Sequence, residues 1–155
     1  MPEKILGSEL PEDAFELLNK GTTVVVATVD EDGYPRTAPI GLIAALNKKT
    51  LWICIRPHKF SYKNIVRNGK VMVCVIDEGN IAIGVKGRAE VINEDVGGHP
   101  TIRSPIVEIK IEEVKSDALP WAPIIHGIRA RPIREKVPDK LSPEILRKIW
   151  AALRS

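Results

Sequence analysis

The chain contains few of the residues that metal centres and disulfide scaffolds need. Its 155 residues include two cysteines and three histidines. Cys54 and Cys74 each lie in an apolar run with the pattern of a strand, which indicates reduced core thiols, and the histidines show no metal-ligand spacing. The sequence therefore predicts neither a disulfide framework nor a metal site.

Aromatic residues and strong charge are scarce as well, with 5% aromatic residues and a formal net charge of +3. A dedicated nucleic-acid-binding barrel needs exposed aromatic side chains on one face and a strongly basic patch, so an oligonucleotide-binding barrel is the weaker alternative for this chain. No apolar run has the length of a membrane span or the form of a signal peptide. These absences predict a soluble, cytoplasmic protein.

The first 115 residues alternate short apolar runs with turn signals, which is typical of an antiparallel β-protein. A helix is predicted over residues 11–20, before the strands. Pro35 and Pro39 place part of the second strand at an edge or a bulge, and Gly84 and Gly87 predict a barrel bend in the fifth strand. The six predicted strands span residues 22–30, 34–46, 50–55, 71–76, 81–93 and 106–115. Closure into a small barrel would leave them without open edges.

A second helix is predicted between the third and fourth strands. Pro57 ends the preceding strand, and Ser61 has the position of an N-cap. Phe60 and Ile65 then have the spacing of a hydrophobic staple, which fixes the angle at which the chain enters the helix. Gly69 is expected to end the helix as a left-handed C-cap.

The first turn of this helix has the chemistry of an anion site. It would offer free backbone N–H groups, the Ser61 hydroxyl and the Lys63 ammonium, with Arg56 close by in sequence. A lysine in the first turn has the wrong sign for the helix dipole, and a bound phosphate would offset that cost. The alternative is a capped helix that binds nothing, and His58 beside it is interpreted as a surface histidine.

The residues after 115 have a different character. Residues 116–140 are interrupted by prolines, carry several arginines and include Trp121, which favours an extended arm. A final helix is predicted from Ser142, and its apolar stripe needs a surface to pack against. We therefore divide the chain into a unit of residues 1–115 and a unit of residues 116–155 that packs on the barrel or on a partner.

The order of these parts resembles the pyridoxamine 5′-phosphate oxidase-like family of FMN-binding split barrels. The segments that carry the resemblance are ATVDEDGYPRTAPIGL, SYKNIVRNGKVMVCVID and GRAEVI, which begin at residues 27, 61 and 87. The resemblance implies a mainly β fold, a six-stranded antiparallel split β-barrel with flanking helices. It also implies FMN as cofactor and a homodimer with the flavin at the interface.

The resemblance further implies which residues hold the flavin. Residues 36–40 match the backbone that runs beside the flavin ring, and residues 55–56 match the strand end near the ring and the ribityl phosphate. Ser61 and Lys63 match the phosphate-binding pair, whereas Trp121, Arg129 and Arg131 match only by type the residues that a partner subunit contributes. The implied cofactor-binding residues are Arg36, Thr37, Ala38, Pro39, Ile40, Ile55, Arg56, Ser61, Lys63 and Trp121.

The chain departs from the family pattern at Tyr62, where an arginine is usual, and at Ala82, where a glutamine is common. These departures leave the substrate unassigned. No nucleophile, base and orienting group can be assembled, so the catalytic residues are unknown and the chemistry would belong to the flavin. The expectation is an FMN-binding flavoprotein, an oxidoreductase. The alternatives are a deazaflavin-dependent reductase of the same fold and a non-enzymatic flavin- or oligonucleotide-binding barrel.

Overall fold

A curled antiparallel sheet with two helices forms the part of the chain that the structure, a computed structural model, describes: residues 4–97, 103–130 and 151–153. The helices are α1 (Glu12–Lys20) and α2 (Phe60–Arg67). The strands are β1 (Lys4–Gly7), β2 (Val24–Val29), β3 (Pro35–Ile40), β4 (Ile43–Asn47), β5 (Thr50–Cys54), β6 (Lys70–Asp77), β7 (Ile81–Asn93) and β8 (Ile106–Ser116).

The strand order shows why this sheet is a split barrel. Along the sheet the strands follow the order β3-β2-β6-β7-β8-β5-β4, with β1 paired to β8. The first and last strands of that order, β3 and β4, are consecutive in the chain and separated only by Gly41 and Leu42. The sheet must therefore curl until its two ends meet. The predicted mainly β split barrel is confirmed.

The described residues form eight strands, not the six predicted. One addition is β1, which is short, fully exposed and held only by its pairing with β8. The other arises because the predicted strand over residues 34–46 is broken at Gly41 and Leu42 into β3 and β4. The first difference comes from a pairing between distant parts of the chain, and the second comes from the closure of the sheet between β3 and β4.

The two prolines of β3 lie on an edge strand, as predicted. The hairpin from β2 to β3 is closed by the Asp30 N–H, which donates to the Tyr34 carbonyl, with Gly33 at φ +85°. In this register Pro35 and Pro39 lie opposite Val29 and Val25, at positions whose backbone groups point away from β2. The prolines therefore remove no hydrogen bond from the sheet.

The core lies inside the curl, where alternate side chains of the strands meet. In β8 the predicted alternation is confirmed, since Val107, Ile109 and Ile111 are buried and Lys110 is exposed. The helix α1 covers one part of the core with Ala14 and Leu18, and α2 contributes Ile65. The predicted N-terminal helix thus packs against the core, as expected.

Gly87 marks a close approach between β7 and β8. The pairing register shifts between Lys86 and Gly87, so that Glu112 of β8 is passed over. A Cβ atom at Gly87 would lie 2.5 Å from the Lys110 carbonyl oxygen and 2.8 Å from Ile109 Cγ2. The glycine allows the two backbones to approach where the sheet changes register.

Both cysteines are free and only half-buried. Burial raises the pKa of the Cys54 thiol to about 11, although the nearby Arg56 guanidinium partly opposes this shift. The described residues contain no group of acidic, histidine and cysteine side chains that could hold a metal ion. None of the helices in the described ranges has the length and apolar character that crossing a membrane requires.

The described part of the arm, residues 117–130, has neither helix nor strand and returns to the β6–β7 turn of its own chain. Arg131 and the start of the predicted final helix at Ser142 lie outside the described residues. Residues 151–153 are helical, and Leu153 is buried against Ala44 and Ile106 on the outer face of the sheet.

Candidate cofactor site

The helix α2 begins two residues earlier than the sequence predicts. Lys59 is the N-cap residue, with extended backbone and no side-chain capping bond, and Phe60 is the first helical residue. The predicted N-cap at Ser61 is therefore wrong, and so is the staple, because Phe60 lies within the helix and is 61% exposed. A tight turn causes the earlier start of the helix. The Lys59 N–H donates to the Arg56 carbonyl in this turn, and the helix begins directly after it. The helix ends as predicted before Gly69, at φ +75°.

The first turn of α2 nevertheless offers unused hydrogen-bond donors. Within the described part of the chain, the backbone N–H groups of Phe60, Ser61 and Tyr62 have no acceptor. The Lys63 N–H donates to the Lys59 carbonyl at 3.3 Å, so it is already used. Ser61 lies almost fully buried in this turn, while the Lys63 side chain is exposed. Because Ser61 belongs to the first turn and not to the N-cap, it lies beside the free N–H groups.

A phenyl ring brings two predicted site residues together. The Arg36 guanidinium of β3 lies 4.3 Å from the centre of the Phe60 ring, and the Lys63 ammonium lies 6.0 Å from the same centre. Both distances fall within the range of cation–π attraction. The edge strand and the first turn of α2 therefore present two cations close to one exposed aromatic ring.

Asp30 fixes the position of Arg36. Arg36 Nε donates to both Asp30 carboxylate oxygens at 2.8 Å, and its Nη2 lies 2.7 Å from Oδ2. Hydrogen bonds from Arg36 and then from Asn64 lower the pKa of the Asp30 carboxyl below its usual value. Lys63, in contrast, has no ion pair with any described residue, so its charge is available to a ligand.

Asn64 anchors the helix to the sheet, and the sequence did not reveal this role. Its side chain is buried and donates to Thr28 Oγ1 at 3.0 Å and to Asp30 Oδ1 at 2.7 Å. Arg67 donates to Asn64 Oδ1 at 2.9 Å. The only signal in the sequence is an asparagine and an arginine three residues apart on one helix face, which is common and gives no partner.

The remaining residues of β3 line its open edge. Thr37 and Pro39 are exposed, Ala38 is half-buried and Ile40 enters the core. By the alternation set at the hairpin, the Thr37 N–H points away from β2 toward the open side of the edge strand. This edge therefore leaves backbone groups without a neighbouring strand next to Arg36.

Ile55 and Arg56, at the end of β5, point to opposite faces. Ile55 is 2% exposed in the main core. Arg56 is half-buried, and its Nη1 atom is buried without a hydrogen-bond partner. Because Ile55 enters the main core and Cys54 packs against the cluster on the outer face, the alternation of an extended chain places Arg56 on the side of Cys54. The structure does not group the Arg56 side chain with Lys63 and Ser61.

Trp121 lies at the other end of β6 from α2 within one chain. Asn80, at φ +56°, holds its loop from both sides: Asn80 Nδ2 donates to the Leu119 carbonyl at 3.2 Å, and the Ile124 N–H donates to Asn80 Oδ1 at 3.1 Å. Trp121 is 71% exposed between these two anchors. Asn80 follows the far end of β6 from α2, a separation of about 23 Å at roughly 3.3 Å per residue.

A separate groove lies apart from Ser61 and Lys63. This groove of about 910 Å³ runs between α2 and strands β7 and β8, and neither Ser61 nor Lys63 lines it. Its lysine and arginine side chains each have an acidic partner among the described residues, as in Lys110 with Glu108 at 3.2 Å and Arg103 with Glu94 at 3.9 Å. The groove therefore lacks an unpaired cation of the kind that the first turn of α2 offers.

Comparisons with known proteins agree with this architecture. The family model described as pyridoxamine 5′-phosphate oxidase matches residues 10–118. A candidate pyridoxamine 5′-phosphate oxidase from Lactobacillus delbrueckii is 30% identical, with 72% of this chain and 98% of that chain covered and a TM-score of 0.62. HupZ from Group A Streptococcus (21% identical, 68% and 91% covered, TM-score 0.57) and an F420 reductase (24%, 70% and 99%, 0.54) share the fold. None of the curated proteins compared with the chain matches it.

Proposed function

Since the chain belongs to the pyridoxamine 5′-phosphate oxidase family, we propose that it is an FMN-binding flavoprotein that acts as an oxidoreductase. We propose that it works as a homodimer with the flavin between subunits, and its substrate is left unassigned. The observation that carries the proposal is the first turn of α2, where free N–H groups, the Ser61 hydroxyl and the unpaired Lys63 meet the Arg36–Phe60 pair.

The FMN phosphate fits this first turn on electrostatic grounds. Lys63 opposes the positive end of the helix dipole, which costs about 0.3–1 kcal/mol when no anion is present. A phosphate dianion would accept from the free N–H groups and from Ser61, and it would offset the charge of Lys63. Arg36, already oriented by Asp30, adds a second cation at the same place.

The edge of β3 would hold the flavin ring. Residues 36–40 present backbone groups there, because the two prolines leave the edge without a neighbouring strand. We assign the backbone at Ile55 and Arg56 to the far side of the ring, since both residues follow the last paired residue of β5. When bound, the flavin would supply the redox chemistry; the chain would bind and orient it.

A second copy of the chain would complete the site with Trp121. Within one chain Trp121 and α2 lie at opposite ends of β6, so Trp121 reaches a flavin only across a subunit interface. Its loop is already held by Asn80, and Trp121 has little of its surface covered by its own chain. An indole presented in this way can pack on a flat ligand without a further loss of loop entropy.

Titration of FMN and riboflavin tests the phosphate assignment. Lys63→Ala removes a charge-assisted contact worth about 1.5–3 kcal/mol, so FMN affinity should fall about 10–150-fold. Riboflavin has the same ring but no phosphate, and its affinity should hardly change. Lys70→Ala is the matched control, because Lys70 is also exposed and lies next to α2 without being in its first turn. Calorimetry with both flavins on the wild type and the two variants gives four affinity ratios, one for each variant with each flavin.

Equal losses for FMN and riboflavin in Lys63→Ala would contradict the phosphate assignment. Failure of the wild-type protein to bind either flavin would contradict the function as a whole. A deazaflavin reductase of the same fold is the alternative, because the F420 reductase shares the fold. Mass spectrometry and the absorption spectrum of the compound that copurifies with the protein separate the two cofactors.

A further inference from the structure

A cavity of about 340 Å³ lies over β2, β6 and β7, which are neighbours in the sheet. It opens on the side of the sheet that faces away from the core, because its residue Met72 is 43% exposed while Val71 and Val73 on either side of Met72 are buried. A cavity of this volume has the size of a small-molecule site. The apolar side chains that line it are Ala27, Val29, Pro35 and Met72.

Three cations and a single carboxylate line the same cavity. They are Lys70, Lys86, Arg88 and Glu112. Lys70 and Lys86 form no ion pair with any described residue. Glu112 pairs only with Arg88, and the 3.8 Å between its Oε1 and Arg88 Nε is longer than a hydrogen bond. The cavity therefore combines an apolar lining with an excess of positive charge.

The register of the sheet brings like charges together beside this cavity. Lys70 of β6 lies directly opposite Arg88 of β7, and Arg88 lies directly opposite Lys110 of β8. Lys110 has a carboxylate partner in Glu108 at 3.2 Å, whereas Lys70 has none among the described residues. Like charges directly opposite each other on neighbouring strands are destabilising. An anion bound between Lys70 and Arg88 would offset this repulsion.

The carboxylates of β8 leave Lys86 without a partner. The register of β7 with β8 shifts next to Lys86, so that Glu113 lies opposite Lys86 and Glu112 is passed over. Glu113 does not line the cavity and forms no ion pair with Lys86. On its other side Lys86 lies directly opposite Met72. An unpaired ammonium therefore neighbours an apolar side chain of the cavity.

We propose that this cavity binds a small organic anion, a compact apolar molecule that carries one carboxylate or phosphate group. The apolar lining would cover the body of the ligand, and the cations Lys70, Lys86 and Arg88 would pair with its anionic group. An inorganic anion would leave the apolar lining uncovered, and a neutral ligand would leave the cations unpaired. The site is separate from the proposed flavin site, because neither Ser61 nor Lys63 lines the cavity.

The methyl signal of Met72 allows a direct test by NMR. The chain contains two methionines, so ¹³C-methyl labelling gives a simple spectrum in which Met72→Leu identifies the signal of Met72. The probes are 2-naphthoate and 2-naphthyl phosphate, with 2-naphthamide as the neutral control, titrated into the full-length protein at constant ionic strength. Both anions should shift the Met72 signal saturably. The phosphate should bind more tightly than the carboxylate because it carries more charge, and the amide at least about 5-fold more weakly than the carboxylate.

Charge variants test the role of the cations. Lys70→Gln and Lys86→Gln should each weaken the binding of both anions about 2–5-fold, as expected for an exposed charge pair, and the double variant about 4–25-fold. Glu112→Gln should strengthen binding about 2–5-fold, because Arg88 then has no competing carboxylate. Lys20→Gln is the matched control, since Lys20 is exposed at the end of α1 and lies outside the cavity. That variant should bind both anions like the wild type.

The absence of a saturable Met72 shift with either anion would overturn the proposal. Equal affinity for the amide and the carboxylate would overturn it too, because the cations would then take no part, and so would unchanged affinity in the variant that lacks both Lys70 and Lys86. A loss in Lys63→Ala as large as in that double variant would place the probes at the first turn of α2. All of these charged side chains are exposed, so the variants should fold, which circular dichroism verifies.

Discussion

A single buried amide connects the parts of the candidate site at the scale of residues. The Asn64 side chain donates hydrogen bonds to Thr28 and Asp30 and accepts a hydrogen bond from Arg67. Asp30 in turn orients Arg36, which lies over Phe60. The hydrogen bonds that Asn64 and Asp30 form therefore fix the position of α2 relative to the edge of β3.

The Asp30 carboxylate should make stability depend on acid pH. Its pKa is lowered in the folded protein, so it contributes stability above the pKa of the unfolded chain, about 3.9, and loses it as pH falls through the folded value. Asp30→Asn should therefore be less stable than wild type near pH 6, and the difference should shrink below about pH 4. Urea unfolding across this pH range measures the difference in the free energy of unfolding.

Glu90→Gln is the control for this pH dependence, because Glu90 is exposed and has no hydrogen bond or ion pair in the described ranges. The free energy of unfolding of this variant should differ little from that of the wild type at every pH. A gap between wild type and Asp30→Asn that stays constant down to the lowest pH would show that the Arg36 and Asn64 contacts do not stabilise the ionised form.

The predictions for single residues were correct where the neighbouring residue types determine the structure. They were wrong where the structure depends on one exact position or on contacts with distant residues. The position of Lys63 in the first turn of α2 was predicted from residue types alone. The N-cap was misplaced by two residues, because the Arg56–Lys59 turn leaves Lys59, a residue with no capping side chain, in the extended conformation. Asn64 was missed, because its partners Thr28 and Asp30 lie more than thirty residues away in the chain.

At the scale of elements, local patterns placed the strands but not their connections. The run of residues 81–93 was predicted with the observed bounds of β7, since turn residues flank it. The break between β3 and β4 was not predicted, because Gly41 and Leu42 are a weak turn signal and closure of the barrel imposes the break. The strand β1 escaped prediction for a similar reason, since only its pairing with β8 defines it.

The two glycines of β7 should respond differently to the same substitution. In Gly87→Ala the new Cβ would meet the Lys110 carbonyl, a backbone atom that cannot move alone, so the free energy of unfolding should fall by about 1–3 kcal/mol. In Gly84→Ala the nearest atom is the flexible Met72 Cε at 3.9 Å. That variant should be neutral or up to about 1 kcal/mol more stable, because alanine restricts the unfolded chain.

Denaturant titrations of both glycine variants measure this contrast. Gly84→Ala is the matched control, since it places the same methyl group in the same strand. Equal destabilisation of the two variants would mean that β-strand propensity outweighs the close approach at Gly87, and that the register shift does not depend on the glycine.

At the scale of the molecule, one patch on the sheet is apolar and incompletely covered. Val25, Cys74 and Gly84 lie in one row across β2, β6 and β7, and each is half-buried. Met72 and Ile76 flank that row on β6 and are 43% and 41% exposed. The arm adds the exposed Trp121 and Ile125 near the far end of β6. A contiguous apolar surface of this kind is typical of an interface.

The proposed homodimer predicts that a charge on this patch separates the subunits. In Met72→Glu a carboxylate would be buried against a second copy, so dimer affinity should fall by about 2 kcal/mol or more, roughly 30-fold. FMN affinity should fall in parallel, because a site shared by two subunits is lost when they part. Light scattering coupled to gel filtration, over a concentration series, gives the mass, and FMN titration of the same samples gives the affinity.

Leu46→Glu provides the matched control for the dimer. Leu46 is 41% exposed, close to the value for Met72, but it lies on β4 at the other end of the strand order. That variant should keep both the wild-type mass and the wild-type FMN affinity. Wild-type protein that is monomeric at every concentration would contradict the dimer. A monomeric Met72→Glu variant with unchanged FMN affinity would mean that one chain holds the flavin by itself, and Trp121 would then have no part in the site.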